Sequence, residues 1–186
     1  MGLFNLFKKK KPIEVKGNSQ AGENHFADIS HWESCDFNLY DKKVLFTKCI
    51  GGKGYVDPTY KRYKEECLKR GIKFGAYHFF KANLPAIQQA EHFLKNIGPD
   101  VDFLILDLET TDGATPEGIR QLAKAWLEYV HAKTGKLPIL YSYHSFLTGS
   151  VKFDESFAKY PLWLARYANV TPTAPAPWKD WAIWQY

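Results

Sequence analysis

Two carboxylates, Asp107 and Glu109, stand two residues apart at the end of an apolar run, Phe103-Leu104-Ile105-Leu106. Side chains of an extended strand alternate with a period of two. Phe103, Ile105, Asp107 and Glu109 therefore share one face, and Leu104, Leu106 and Leu108 the other. Acids this close repel, which raises one pKa and divides the pair into a proton donor and an anion. Hydrolysis of a glycosidic bond requires that division. The ordinary reading, an acid at the solvated start of a loop, fits poorly with four apolar residues ahead of Asp107. Asp28 closes an earlier short strand and is expected at the same rim.

The elements that must position these acids follow a rhythm. Strands are expected over residues 26–30, 44–50, 72–79, 101–108, 138–143, 161–166 and 181–186. Helices are expected from Asp57-Pro58 to about Arg70, over 85–97, and from Thr115-Pro116 to about Thr134. The last carries an apolar stripe of Ile119, Leu122, Ala123, Trp126, Leu127 and Val130. Gly71, Gly98 and Gly135 follow the three helices. Strands alternating with helices imply a mainly parallel α/β sheet, and seven strands in one domain favour a barrel. Reacting groups in such a barrel sit where strands end. Between the later strands little helical pattern is visible.

Aromatic residues make up 16% of the chain. Trp32, Tyr77, Tyr141, Tyr143, Trp163, Tyr167, Trp184 and Tyr186 fall near strand ends. Rings with a polar handle suit sugar faces, and they also fill cores. His78 and His144 are candidate acids, bases or ligands, with a hydrogen-bonded rim histidine as the plainer reading. Gly51-Gly52-Lys53-Gly54 meets neither phosphate-loop pattern, which argues against nucleotide binding. Cys35, Cys49 and Cys67 lack CxxC spacing and read as reduced thiols, and no metal site is expected.

The 186 residues carry 25 Lys and Arg against 20 Asp and Glu, a formal charge of +5. Five lysines against Glu14 give residues 1–16 a net +4, leaving +1 for the rest. A body that close to neutral lacks the broad cationic surface of a nucleic-acid binder. No apolar run approaches bilayer-spanning length. Leu3, Phe4, Leu6 and Phe7 precede the lysines, the reverse of a secretory signal, and Leu6 stands where a myristoylation pattern wants Ser or Thr. Residues 1–24 read as a basic arm and linker, either a weak anchor to an anionic envelope or membrane or a solubilising tail. Residues 25–186 read as the single folded domain.

In chain order, seven segments resemble glycoside hydrolase family 25, the Chalaropsis-type lysozymes or muramidases that include many phage endolysins. They are Asp28-Ile29-Ser30-His31-Trp32, Phe46-Thr47-Lys48 with Gly54-Tyr55-Val56-Asp57-Pro58, Gly75-Ala76-Tyr77-His78-Phe79, Asp107-Leu108-Glu109, Pro138-Ile139-Leu140-Tyr141-Ser142, Pro161-Leu162-Trp163-Leu164-Ala165-Arg166-Tyr167 and Trp184-Gln185-Tyr186. The resemblance implies a TIM-like flattened (β/α)5β3 barrel that cleaves the β-1,4 bond between N-acetylmuramic acid and N-acetylglucosamine in peptidoglycan. It implies Glu109 as acid and then base, with Asp107 orienting the substrate's 2-acetamido group or acting directly as nucleophile. Asp28 joins the catalytic set. Tyr77, His78, Tyr141, Trp163 and Gln185 match substrate-binding positions. No cofactor is implied, and the expected partner is the peptidoglycan glycan strand, bound by a monomer.

Family members continue past Trp-Gln-Tyr into a last strand bearing Val-Asp-Leu-Asn. This chain ends at Tyr186, so the barrel is expected to lack that strand and its acid. Asp180 is expected at the opposite rim. The segment Ile13-Glu14-Val15 is expected to cover the open edge, which unpaired would invite aggregation. Cytoplasmic synthesis with holin-type release is the expected route to the wall. The alternative is a catalytically impaired peptidoglycan-binding or structural protein on the same barrel.

Overall fold

The structure, a computed structural model, describes residues 13–15, 26–40, 43–168 and 171–186, the first of these as backbone. The apolar residues 3–7, the lysines at 8–11 and the linker at 16–24 lie outside the described residues. The strands are β1 (Ile13–Val15), β2 (Ala27–Ile29), β3 (Val44–Gly51), β4 (Tyr55–Val56), β5 (Lys73–Phe79), β6 (Phe103–Asp107), β7 (Ile139–Tyr143), β8 (Leu162–Ala165) and β9 (Ile183–Gln185). The helices are α1 (Tyr60–Arg70), α2 (Ala86–Ile97) and α3 (Pro116–Thr134).

Local chemistry sets the helix ends. The Gly118 N–H donates to Thr115 Oγ1, Pro116 opens α3 where its missing N–H costs nothing, and left-handed Gly135 closes it at φ 68°. Left-handed Gly71 closes α1. Where little helical pattern was expected, a π-helical turn (Phe146–Val151) and a 3-10 turn (Glu155–Phe157) link β7 to β8. Lone turns of this kind lack the repeated apolar stripe that reveals a longer helix.

The sheet order is β1-β9-β8-β7-β6-β5-β3-β2, with every pair on that path parallel and β4 antiparallel to β3. Three strands separate β3 from β8, so in a flat sheet they would lie roughly 19 Å apart. Yet the rings of Phe46 and Trp163 meet at 4.6 Å. The sheet is therefore curled into a half-barrel. Phe26, Val44, Phe46, Phe103, Ile105, Ile139, Trp163 and Ile183 fill its inside. Leu104, Leu106 and Leu108 face the helices with Phe93, Trp126 and Leu127. A Cβ on Gly75 would stand 2.2 Å from Phe46 Cδ1, so glycine lets that ring lie across β5.

Beyond β9 the sheet continues into β1, with Ile13 beside Ile183 and Val15 beside Gln185. The arm thus covers the edge of the last strand. Deleting residues 1–20 removes this ladder, at about 0.5–1.5 kcal/mol net per hydrogen bond. The truncated chain is expected to melt several degrees lower and aggregate more readily. A thermal melt and a solubility assay check this, and unchanged values of both would contradict it. Among the described residues no helix is long and apolar enough to cross a membrane.

Candidate active site

The acids converge where β2 and β6 end. Asp28 lies in β2, Asp107 is the last residue of β6, and Glu109 follows two residues later. The backbone between the two β6 acids is held from both neighbouring strands. Asp107 O accepts from the Phe80 N–H at 2.8 Å, and the Leu108 N–H donates to Tyr141 O at 3.0 Å. Ser142 Oγ donates to Leu108 O at 2.6 Å. Farther out, Asp112 accepts from the Ala82 N–H at 2.8 Å and from Thr110 Oγ1 at 2.9 Å, tying the loop after Glu109 to the one after β5.

A small cavity opens over these groups, lined by Asp28, Tyr77, Ile105, Asp107, Tyr141 and Trp163. Asp107 is buried, and Asp28 Oδ1 and Asp107 Oδ1 are both shielded from solvent without a hydrogen-bond partner. Loss of hydration pushes Asp28 up to about 7, reinforced by the charges of Glu33 and Glu109. Burial, then the Glu109 and Asp28 charges, hold Asp107 well above the usual carboxylate range. Glu109 is raised by burial, an effect partly offset by a hydrogen bond from Tyr141 and by Lys48. Burial and the facing acids keep the phenols of Tyr77 and Tyr141 protonated. The site thus holds carboxyls that stay protonated at higher pH than exposed ones, among neutral donors.

Not every expected site residue meets this cluster. Tyr77, Tyr141 and Trp163 line the cavity. Gln185 is half-buried on β9 between Ala165 and Val15, with Oε1 unpartnered. His78 corrects its expected place at the substrate. Tyr77 faces inward, so its neighbour must face outward. His78 is fully buried between sheet and helices, with rings of Phe93 and Trp126 at 5.9 and 5.6 Å, and burial lowers its pKa to about 3. His144 is half-buried beyond the end of β7. Asp180 lines a groove of about 550 Å³ with Lys159, Trp178 and Trp181, where β8 and β9 begin, at the end opposite the acids.

Lys48 belongs to the site although it was read only as part of a motif. Its charge lowers the pKa of Asp28, Asp107 and Glu109 alike. Its ammonium also lies 4.7 Å from the Phe79 ring centre. The signal was present, because Phe46 points inward and Lys48 is two residues later. The register of β3 against β5 shifts between Lys48 and Ile50, a bulge that releases the strand from strict alternation just past this lysine.

A testable consequence concerns stability. Asp28 holds its proton more tightly folded than unfolded between about pH 4 and 7, so its contribution is present below its unfolded pKa and lost as pH rises through its folded pKa. Asp28→Asn removes the buried charge. Thermal melts are expected to show the variant more stable than wild type at pH 8, by on the order of 2–4 kcal/mol, and nearly equal at pH 4. Equal melting at both pH values would contradict the assignment.

A family model for glycosyl hydrolases family 25 matches residues 27–186. YegX of Escherichia coli K12, whose function is uncharacterized, is 31% identical over 177 residues, 87% of this chain and 62% of YegX. The chain thus spans about three fifths of that relative's length. The autolytic lysozyme of Clostridium acetobutylicum is 30% identical over 148 residues, 77% of this chain and 44% of its own. The muramidase of Acremonium alcalophilum superposes with a TM-score of 0.79 at 26% identity, covering 86% of this chain and 85% of the muramidase.

Proposed function

The chain belongs to glycosyl hydrolases family 25, and from that premise we propose that it is a muramidase cleaving the β-1,4 bond between N-acetylmuramic acid and N-acetylglucosamine in peptidoglycan. One observation carries the reading. Asp107 ends β6 in a cavity walled by Tyr77, Tyr141 and Trp163, and Glu109, two residues on, is near enough for its charge to raise Asp107, with the ionisation of both acids displaced upward. The names of the lysozyme and muramidase relatives point the same way.

In this reading Glu109, whose pKa burial raises, gives its proton to the glycosidic oxygen as the C–O bond breaks. The oxygen of the substrate's own 2-acetamido group attacks the anomeric carbon from the opposite side, while Asp107 holds and charge-stabilises the acetamido nitrogen. Glu109, now a carboxylate, takes a proton from the water that opens this intermediate, and the anomeric configuration is retained. The Asp28 charge raises Asp107, and Lys48, which lowers all three acids, keeps them from all becoming neutral. The arm at residues 1–16, net +4, provides weak attraction to an anionic envelope. The chain acts as a monomer, without a cofactor, after holin-type release to the wall.

Purified peptidoglycan supplies the test. Its suspension should clear in the presence of EDTA, faster below neutral pH than above it, because the donor must be protonated. No clearing at any pH would overturn the proposal.

A further inference from the structure

We propose that Trp32 is a stacking platform for a pyranose ring of the glycan strand, outside the sugar pair being cleaved. The inference rests on the muramidase reading of the adjoining cleft and extends it to the rim just past β2. Trp126, Trp163, Trp178, Trp181 and Trp184 are all at most 5% exposed, whereas Trp32 is 81% exposed. It follows β2 on the rim. It lies four positions after Asp28, so the two Cα atoms lie at most about 14 Å apart.

An exposed ring alone means little, since single apolar residues are common on surfaces. This one is mounted. The His31 ring backs the indole at 4.3 Å. His31 is pinned in turn, because its backbone N–H donates to Asp57 Oδ2 at 3.1 Å and its Nδ1–H to the same oxygen at 2.8 Å. Asp57 is 2% exposed and accepts from Thr59 N–H and Oγ1, and these bonds hold its pKa below the usual range, so it acts as a fixed anion. The Tyr55 hydroxyl lies 2.9 Å from His31 Nδ1. The turn beneath is closed by Glu33 N–H donating to Ser30 O, while the Trp32 N–H donates to Ser30 Oγ. A buried carboxylate and a closed turn thus fix the histidine and the backbone on which the one indole rests, facing water.

A sugar is the occupant that this chemistry favours. A pyranose presents a face of C–H groups to a flat ring and hydroxyls at its edge, and the ring here is bordered by the polar His31, which the Tyr55 hydroxyl meets in turn. A docked protein would need a wider apolar surface. Because the histidine behind the indole is already fixed, part of the ordering cost of binding is met before the sugar arrives.

The test uses Glu109→Gln protein, which should bind without cleaving, titrated with N-acetylglucosamine oligomers of increasing length by calorimetry. Affinity is expected to rise with length until the oligomer reaches the platform. Trp32→Ala should erase the last gain, about three- to tenfold in Kd, with short oligomers unaffected, and Trp32→Tyr should restore most of it. Equal length dependence with and without Trp32 would overturn the platform and leave the cleft reading standing. Failure of every oligomer to bind would overturn both. Dependence on Trp32 for free stem peptide instead of sugars would overturn the choice of occupant.

Discussion

Replacing Glu109 by glutamine is expected to slow peptidoglycan clearing by about 10²–10⁴-fold, the usual contribution of a positioned general acid. Glutamine keeps the length of the side chain and an oxygen that still accepts from Tyr141, but it carries no transferable proton. Where wild-type Glu109 is ionised its charge raises Asp107, so in the neutral variant Asp107 should ionise at lower pH. The fold should be intact, since Glu109 lies beyond the end of β6 and the backbone bonds of Leu108 to Tyr141 and Ser142 do not involve its side chain. Rates of clearing, with circular dichroism as the control, check this. Equal clearing by a folded variant would remove Glu109 from the mechanism.

Asp107→Asn is expected to cost about 10²–10³-fold in kcat with a smaller change in KM, as for loss of a preorganised group that acts on developing charge. Asp107 is buried in a wall of Tyr77, Tyr141 and Trp163, and its Oδ1 is unpartnered. Such an atom is expensive to keep in a folded protein unless a substrate supplies its partner. The same variant should melt higher than wild type at neutral pH, because a carboxyl whose pKa is raised by burial destabilises the fold once ionised. Lower activity together with higher stability separates a functional acid from a structural one. A fall in both would make Asp107 a structural residue.

Much of this was legible in the sequence where periodicity was strong. The two-residue alternation of β6 put Phe103 and Ile105 inside and Leu104 and Leu106 outside, as observed. The ends of α3 followed from Thr115, Pro116 and Gly135. The exact length of β6 was less legible, since Val101 and Leu108 are as buried as the strand itself but lie outside its ladder. His78 reads as a site residue by its chemistry, yet its place beside inward-facing Tyr77 puts it among the helices. Lys48 carries no sign of its site role in the local pattern, since a lysine in an apolar strand declares its face only once the inward direction of Phe46 is known. That Ile13-Glu14-Val15 covers an open edge is expected from the sequence, but its register on β9, about 170 positions away, leaves no local pattern.

Analysis of the sugar ends released from purified peptidoglycan tests the central claim most directly. Digests reduced with borohydride and resolved by mass spectrometry should contain N-acetylmuramitol as the new end, formed by wild type and nearly absent with Glu109→Gln. New N-acetylglucosaminitol ends, or freed stem peptides on uncut glycan strands, would contradict it.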